Sequence, residues 1–523
     1  MNSTFIRKFG AGGFFVGVLL TAVSLPLWNL GMSLGQFIMA GGWLIAGNLP
    51  ERLRNATRQP VFFFLIGLYL LHLAGLWNTE DMVYATKDLR VKLPLLLMPL
   101  LLIAGPPLTA RQYRITLAAV LTGVLISSGV GYATYMGWTG KLVNNYRDIS
   151  LFISHIRLSL LIDFCLVICC LAFLREESKL LRVVCIVTMI WLGGFLILLQ
   201  SVTGLAILLI LIWLGLLLLV TKAKQIIVKI TAAIAAIAIV VVLWQTYHFL
   251  FIQSIEPVNI SLQELPPTTR LGNKYTHNTF RQDIEQGRLV WIQFHEAEMD
   301  SAWRQRGGTS LWETDQRGQM QLVTIMRFLT YRNYSKDYDG VMRLSNDDLQ
   351  LIRNGYPTPE HYTEQNSLLF RFKELASEYR TYHFTGWATG QTLAQRFEYW
   401  KTARWIIAHH PLTGVGTGDV PNAYKDAYNA TNSTLSDEWR LRAHNQYLSF
   451  GVAFGWSGMI YFIFVLAYAL VTGIRKNDIV YLSFLLIAIA SFFTEDTLET
   501  QAGVTFFAFL NSLLLIRSTE EKS

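Results

Sequence analysis

Arg440 to Gly458 reads RLRAHNQYLSFGVAFGWSG. Before it runs a long polar segment, Gln253 to Leu441, and from about Leu448 the chain turns apolar and stays so to Val471. This change of character places His444 and Asn445 at the mouth of a membrane-spanning helix, close to the lipid–water boundary. A histidine there can cap the helix or sit in a polar interface. It can also take a proton from an attacking hydroxyl near pH 7. Headgroup level is where the reactive group of a lipid-linked substrate would lie.

Working outward, the 523 residues are 52% hydrophobic and only 15% charged, well below the roughly one quarter charged of a soluble chain. Many apolar runs approach the roughly 20 residues needed to cross a bilayer. The fold class that follows is an all-α polytopic membrane protein with about twelve transmembrane helices and a large, mainly helical outer loop domain. The +8 net charge is no nucleic-acid signal, because most of the excess Lys and Arg lies in short loops between spans, where topology accounts for it. Cys165, Cys169, Cys170 and Cys185 all sit in apolar runs. Neither a disulfide nor a zinc site is expected from them. The N-terminal MNSTFIRKFGAGGFF lacks a small-residue cleavage site after its apolar run and reads as an uncleaved first span.

The twelve stretches are Gly10–Leu30, Ser33–Ala46, Val61–Trp77, Leu93–Gly105, Ile115–Trp138, Leu158–Leu174, Val183–Leu199, Val202–Val220, Ile226–Phe251, Leu448–Val471, Ile479–Phe493 and Val504–Ile516. Pro94 and Pro99 make the fourth a bent or partial crossing. With the N-terminus in the cytoplasm, every inner loop is basic. They carry Arg52, Arg54 and Arg58; Arg111 and Arg114; Arg175, Lys179 and Arg182; Lys222, Lys224 and Lys229; and Arg475 and Lys476. Arg517 and Lys522 of the tail also fall inside. One missing span would invert part of this pattern. The expected division is residues 1–252 as nine helices, 253–441 as a periplasmic loop domain, and 442–523 as three more helices.

The outer segment is rich in aromatics, which disordered chains lack, and no fixed-period repeat runs through the sequence. FRQDIEQGRLVWIQFHEAEMDSAWR (280–304) and EQNSLLFRFKELASEYRTYHF (364–384) have helical apolar spacing. LSNDDLQLIRNGYP (344–357) reads as a capped short helix ending at Asn354–Gly355. SKDYDG, with Asp337 and Asp339, lacks the further ligands of a calcium loop.

Three other features bear on chemistry. In RFEYWKTARWIIAHHPLTGVGTGDV, Arg396 to Val420, an aromatic–aliphatic helix ends at Pro411, and Gly414, Gly416 and Gly418 follow. No strand precedes them, so a dinucleotide fingerprint does not apply. Such a turn is ordinary punctuation, or it lets backbone N–H groups approach an anion. Next, Arg90, Lys92, Lys141, Arg147 and Arg157 fall on the outer side, against the charge rule. Singly they can snorkel to the interface. Together they form a positive collar suited to an anionic substrate such as a lipid pyrophosphate, which arginine holds through bidentate bonds. Finally, TEDTLETQAG puts Glu495, Asp496 and Glu499 on the outer side between the last two spans, where a solvated acidic turn is the plain reading.

R-x-x-x-W, then P-L-x-G-x-G-x-G, then H-N-x-Y-L leading into an apolar helix with G-x-x-G, resembles the O-antigen ligase and polymerase membrane family. Here the pieces are Arg396 with Trp400, Pro411 to Gly418, and His444 to Leu448 followed by Gly455 and Gly458. The resemblance covers the last third of the chain and the topology of the whole. It implies a GT-C-type, metal-independent glycosyltransferase of the bacterial inner membrane with no cofactor. Its site would face the periplasm. The donor would be a glycan on undecaprenyl pyrophosphate, and the acceptor the lipid A core, another glycan or a protein. By motif, His444 takes the place of the essential histidine and Arg157 and Arg396 those of the arginines holding pyrophosphate. Arg90, Lys92, Arg147, Gly414, Gly416, Gly418, Arg442, Asn445 and Glu495 are the substrate-binding candidates. Where many members carry Ser-Arg near the outer end of a middle helix, this chain reads Ser201-Val202-Thr203-Gly204.

A polymerase or protein oligosaccharyltransferase of the same family shares the donor chemistry. A transporter or flippase would show ionisable residues deep in the spans, of which Asp163 is the clearest, and paired internal repeats. A membrane-anchored receptor would leave the collar unexplained.

Overall fold

In the computed structural model of the chain, the described residues are 3–520 apart from 142, 144–145, 254–257, 259–260, 262–263, 282 and 364–366. Lys522 lies outside them. The first helices in order are α1 (Ser3–Ser24), α2 (Asn29–Ile45), α3 (Leu49–Thr57), α4 (Pro60–Ala74), α5 (Met82–Lys92), α6 (Pro94–Ile103), α7 (Ala110–Tyr135), α8 (His155–Arg175), α9 (Lys179–Leu198), α10 (Val202–Lys222) and α11 (Ile226–Phe251). A two-residue ribbon, β1 (Ile284–Glu285) with β2 (Arg288–Leu289), precedes α12 (Glu296–Gln305), α13 (Gln321–Arg332), α14 (Tyr338–Met342), α15 (Asn346–Arg353), α16 (Pro359–Thr363), α17 (Leu368–Thr385) and α18 (Thr392–His409). Then come α19 (Val420–Ala430), α20 (Gln446–Lys476), α21 (Ile479–Ser491) and α22 (Gln501–Glu520).

Each of the twelve apolar stretches falls on a helix. Among the described residues, seven helices, α1, α7 to α11 and α20, are long and apolar enough to cross a membrane; α2 with α3, bent by 112°, would make an eighth. Helices α4, α21 and α22 are apolar but shorter. This is a multi-pass membrane protein, and a count of twelve goes beyond the length criterion because several spans are short.

The chain forms two compact units. The first comprises Met1–Ala236, Glu398–Ser433 and Arg440–Ser523; the second comprises Ile237–Phe397 and Thr434–Trp439. The polar segment expected as one domain over 253–441 is thus divided, because its later part bonds into the first unit.

Small residues let the first unit's helices approach. Along the antiparallel pair α1–α2, a Cβ added at Gly17 would lie 2.4 Å from Met39 N, and one at Gly42 would lie 2.2 Å from Phe14 N. Close backbone packing of this kind is what joins helices in lipid, where no hydrophobic force acts between them. α20 is broken at Gly455, whose φ of 67° and ψ of −162° lie outside the helical region.

In the second unit, Val290, Met299, Trp303, Ile325, Phe328, Leu329 and Ile352 are buried in one core. Trp303 Nε1 donates to Gln321 Oε1 at 2.8 Å, which satisfies its one polar atom. The apolar spacing of 280–304 predicts a helix, and the structure has one there only over its last part. Gln286 and Gly287, at φ 49° and 75°, make the positive-φ turn that suits a two-residue hairpin, and the helix starts only at Glu296, capped by the His295 side chain. α17 and α15 match their expected places. Ser345 and Asp348 form a capping box for α15, and Gly355 follows it at φ 79°.

Candidate active site

α20 opens with Asn445 as its N-cap. The Asn445 side chain accepts the Leu448 N–H at 3.0 Å and donates to Phe493 O at 3.1 Å. His444 precedes it at φ 44°, in the left-handed region where non-glycine residues are uncommon. Its flanks hold it there. Trp400 Nε1 donates to Ala443 O at 3.0 Å, Ala443 N donates to Tyr424 Oη at 3.1 Å, and Tyr428 Oη donates to Leu441 O at 2.5 Å. A strained residue persists only where its surroundings over-determine it, and such residues gather at functional sites. The His444 ring lies 5.6 Å from that of Tyr399, and its Nδ1 is 3.3 Å from Asp496 Oδ1.

The acidic turn between α21 and α22 is not simply solvated. Glu499 sits at its centre, receiving Lys92 Nζ at 2.9 Å, Arg442 Nη1 at 2.5 Å and Gln446 Nε2 at 3.2 Å. Lys92 also contacts Asp88 at 2.7 Å, and its side chain is only 4% exposed. Burial opposes ionisation of Glu499, yet the Lys92 and Arg442 charges hold its carboxyl well below the usual range. Burial pushes Asp88 up to about 6 despite Lys92. Lys92 of the collar, and Arg442 beside His444, are therefore neutralised inside the protein and brace the segment that carries His444. Between this cluster and Phe450 and Phe454 lies a cavity of about 20 Å³, room for about one water.

The glycine turn serves α20. Where the helix breaks at Gly455, Val415 N and Gly416 N donate to the freed carbonyls of Val452 and Ala453 at 3.0 and 2.9 Å, and Trp456 N donates to Pro411 O at 2.8 Å. A Cβ at Gly414, which has φ 65°, would lie 2.3 Å from Phe454 N. Gly418 N donates to Thr79 Oγ1 at 3.2 Å. The Asp419 carboxylate takes the N–H groups of Glu80 and Asp81 at 2.8 Å each. The N–H groups of Gly416 and Gly418 are thus engaged by the protein itself rather than turned toward an anion.

Arg157 stands in the first turn of α8, half-buried, and its charge interacts with both Glu495 and Asp496. His444, Glu495 and Asp496 each offer one ligand atom within 4.8 Å of the others. That spacing is compatible with a divalent cation, but Arg157 already supplies positive charge to the same carboxylates. His444, Asn445, Glu495 and Arg157 are thus brought together at the starts of α8 and α20 and just beyond the end of α21. Arg90 is exposed on α5, and Arg147 is half-buried on the short turn Tyr146–Ile149. Arg396 belongs to the second unit.

Sequence reasoning missed Asp496 as the partner of His444 and Glu499 as the hub of the buried cluster. Nothing local in TEDTLET marks which acid turns inward. The Asp88–Lys92 pair was missed as well, although its i, i+4 spacing was a signal that could have found it. Asp163 is fully buried in α8, and neither carboxylate oxygen has a hydrogen-bond partner among the described residues.

Residues 361–463 match the family described as O-antigen ligase. The matched segment holds Arg396, the glycine turn, His444 and the break in α20. No curated protein matches the chain.

Proposed function

We propose that this O-antigen ligase-family membrane protein transfers a glycan from undecaprenyl pyrophosphate to an acceptor hydroxyl of the lipid A core at the periplasmic face of the inner membrane. The observation that carries the reading is His444, held in a left-handed conformation with Nδ1 3.3 Å from Asp496. Asp496 orients the ring and stabilises the imidazolium that forms when His444 takes the acceptor proton. The acceptor oxygen bonds to the anomeric carbon as the bond from that carbon to the pyrophosphate oxygen breaks. Polyprenyl pyrophosphate departs with the bonding pair. Arg157 stabilises the developing charge, and the motif alone makes Arg396 a candidate for the same role. Pyrophosphate is a good leaving group, so the reading requires no metal, and chelator should leave transfer unchanged.

The test is transfer from defined undecaprenyl-pyrophosphate donors by purified protein. His444→Ala should abolish it while the protein still accumulates. Alanine at Arg157 or Arg396 should cost roughly ten- to a hundredfold, the loss of one charged hydrogen bond or so, with lysine at Arg157 recovering only part. Retention of most activity by His444→Ala sinks the mechanism. The glycolipids of a deletion strain separate two activities: loss of all long chains from the core marks a ligase, and core capped by one repeat marks a polymerase.

A further inference from the structure

We infer that the first unit holds one anionic glycerophospholipid at the end of the helices opposite His444. A cavity of about 1160 Å³ opens there, larger than the roughly 300–1,000 Å³ of an ordinary small-molecule pocket. It lies between the start of α7, the end of α8, the start of α21 and the end of α22, with Val480 and Ile516 on its wall. His444 and Glu499 lie beyond the other ends of α21 and α22, about 20 Å away along a helix the length of α21.

The walls are apolar, with Leu117, Leu121, Ile168 and Leu171 in a row from α7 and α8. Leu117 and Leu121, and Ile168 and Leu171, are spaced by one helical turn, so they make a track along which an acyl chain can run. The rim is basic. Arg52, Arg114 and Arg175 line it against a single acid, Glu176, whose Oε1 is taken by the N–H groups of Glu177 and Ser178.

Arg52 separates this site from a merely topological charge. Its Nη2 donates to Trp43 O at 2.7 Å and its guanidinium lies 5.5 Å from the Trp43 ring, which fixes the side chain. Its Nε and Nη1 are buried without a hydrogen-bond partner among the described residues. A snorkelling arginine would take those donors to water. Buried charged donors without acceptors are costly, and a phosphate oxygen pair matches the arginine fork. Basic pockets between spans on the cytoplasmic side bind anionic headgroups, and the charge pattern of the loops assigns this end to the cytoplasm. The site takes a lipid whose chain follows α7 and α8 and whose phosphate meets Arg52; the cation of a zwitterionic headgroup would be repelled by the Arg52 guanidinium, so Arg52 carries the selection of net negative headgroups, and Arg114 and Arg175 add to the positive rim.

The experiment is native mass spectrometry of the full chain in neutral detergent, titrated with phosphatidylglycerol or phosphatidylcholine. Phosphatidylglycerol should bind one per chain, at least tenfold tighter than phosphatidylcholine. Arg52→Gln should lose that preference while keeping transfer activity. Ala118→Trp, which narrows the cavity and leaves Arg52 intact, should weaken both lipids. Equal binding of the two lipids by the parent overturns the proposal, as does an unchanged preference in Arg52→Gln. Displacement of phosphatidylglycerol by equimolar undecaprenyl phosphate also overturns it, by assigning the cavity to the polyprenyl carrier.

Discussion

At Nδ1 of His444 the Asp496 carboxylate leaves little freedom: the ring that meets it at 3.3 Å is fixed in orientation. The same carboxylate interacts with Arg157, so one acid links the proposed base to the proposed pyrophosphate ligand. Removing it should loosen both without emptying a packed core, because Asp496 is only half-buried. Asp496→Asn keeps the shape and removes the charge. We expect kcat to fall roughly ten- to a hundredfold, corresponding to about 1.5–3 kcal/mol for a hydrogen bond to a charged group. KM for the acceptor should change little, and Asp496→Glu should recover part of the rate. Steady-state kinetics on purified variants check this, and an unchanged kcat in Asp496→Asn would leave the contact a structural one. His444 and Arg157 were legible in the sequence because motif and position marked them. Asp496 was not, because a triplet of acids in a turn does not say which one faces the histidine.

Among the elements, α20 carries the site and its break decides where the site sits. Gly455 at φ 67° and ψ −162° occupies a region that is essentially glycine's alone. A Cβ there would also lie 2.5 Å from Pro411 O. Gly455→Ala should therefore destabilise the protein by at least about 1–3 kcal/mol and misplace the glycine turn, lowering both the unfolding midpoint and transfer. A midpoint within error of the parent would contradict this. The spacing of Gly414, Gly416, Gly455 and Gly458 was visible in the sequence, but its cause was not. Only the fold brings Val415 N and Gly416 N to the carbonyls of Val452 and Ala453. The 280–304 stretch failed for a related reason: apolar spacing alone cannot weigh a Gln-Gly turn against helix continuation. On α16 of the second unit, burial first and then the nearby Arg327 and Arg317 hold His361 down to about 3. Its folded pKa lies below the unfolded value, so its stabilisation is full above about pH 6.5 and is lost as pH falls toward 3. The stability of this unit should therefore fall with acid at no more than about 1.4 kcal/mol per pH unit from this group. His361→Gln should flatten that slope in pH-dependent melts, and an unchanged slope would assign it to other groups.

Taken whole, the molecule is organised by which side of the membrane each loop meets. The twelve apolar stretches all became helices, because an apolar run in lipid has no other way to satisfy its backbone. Their number as crossings is harder to read, since α4, α6, α21 and α22 are short and α2 bends sharply into α3. Charge is the independent witness. Arg111, Arg114, Arg175, Lys179, Lys222 and Lys224 cluster at one set of helix ends, at the starts of α7, α9 and α11 and the finishes of α8 and α10. At the other ends lie His444, Glu495 and the buried Lys92–Glu499 pair, whose positive charge is internally cancelled and so carries no topological weight. Correcting the collar for that pair sharpens the asymmetry between the two faces. The prediction is that Lys224 and Lys476 lie in the cytoplasm and Gly355 in the periplasm. Reporter fusions at the three positions test it, using one enzyme active only in the cytoplasm and another active only outside. An active periplasmic reporter at Lys224, or an inactive one at Gly355, would turn the chain over and move His444 to the face where the proposed donor is absent.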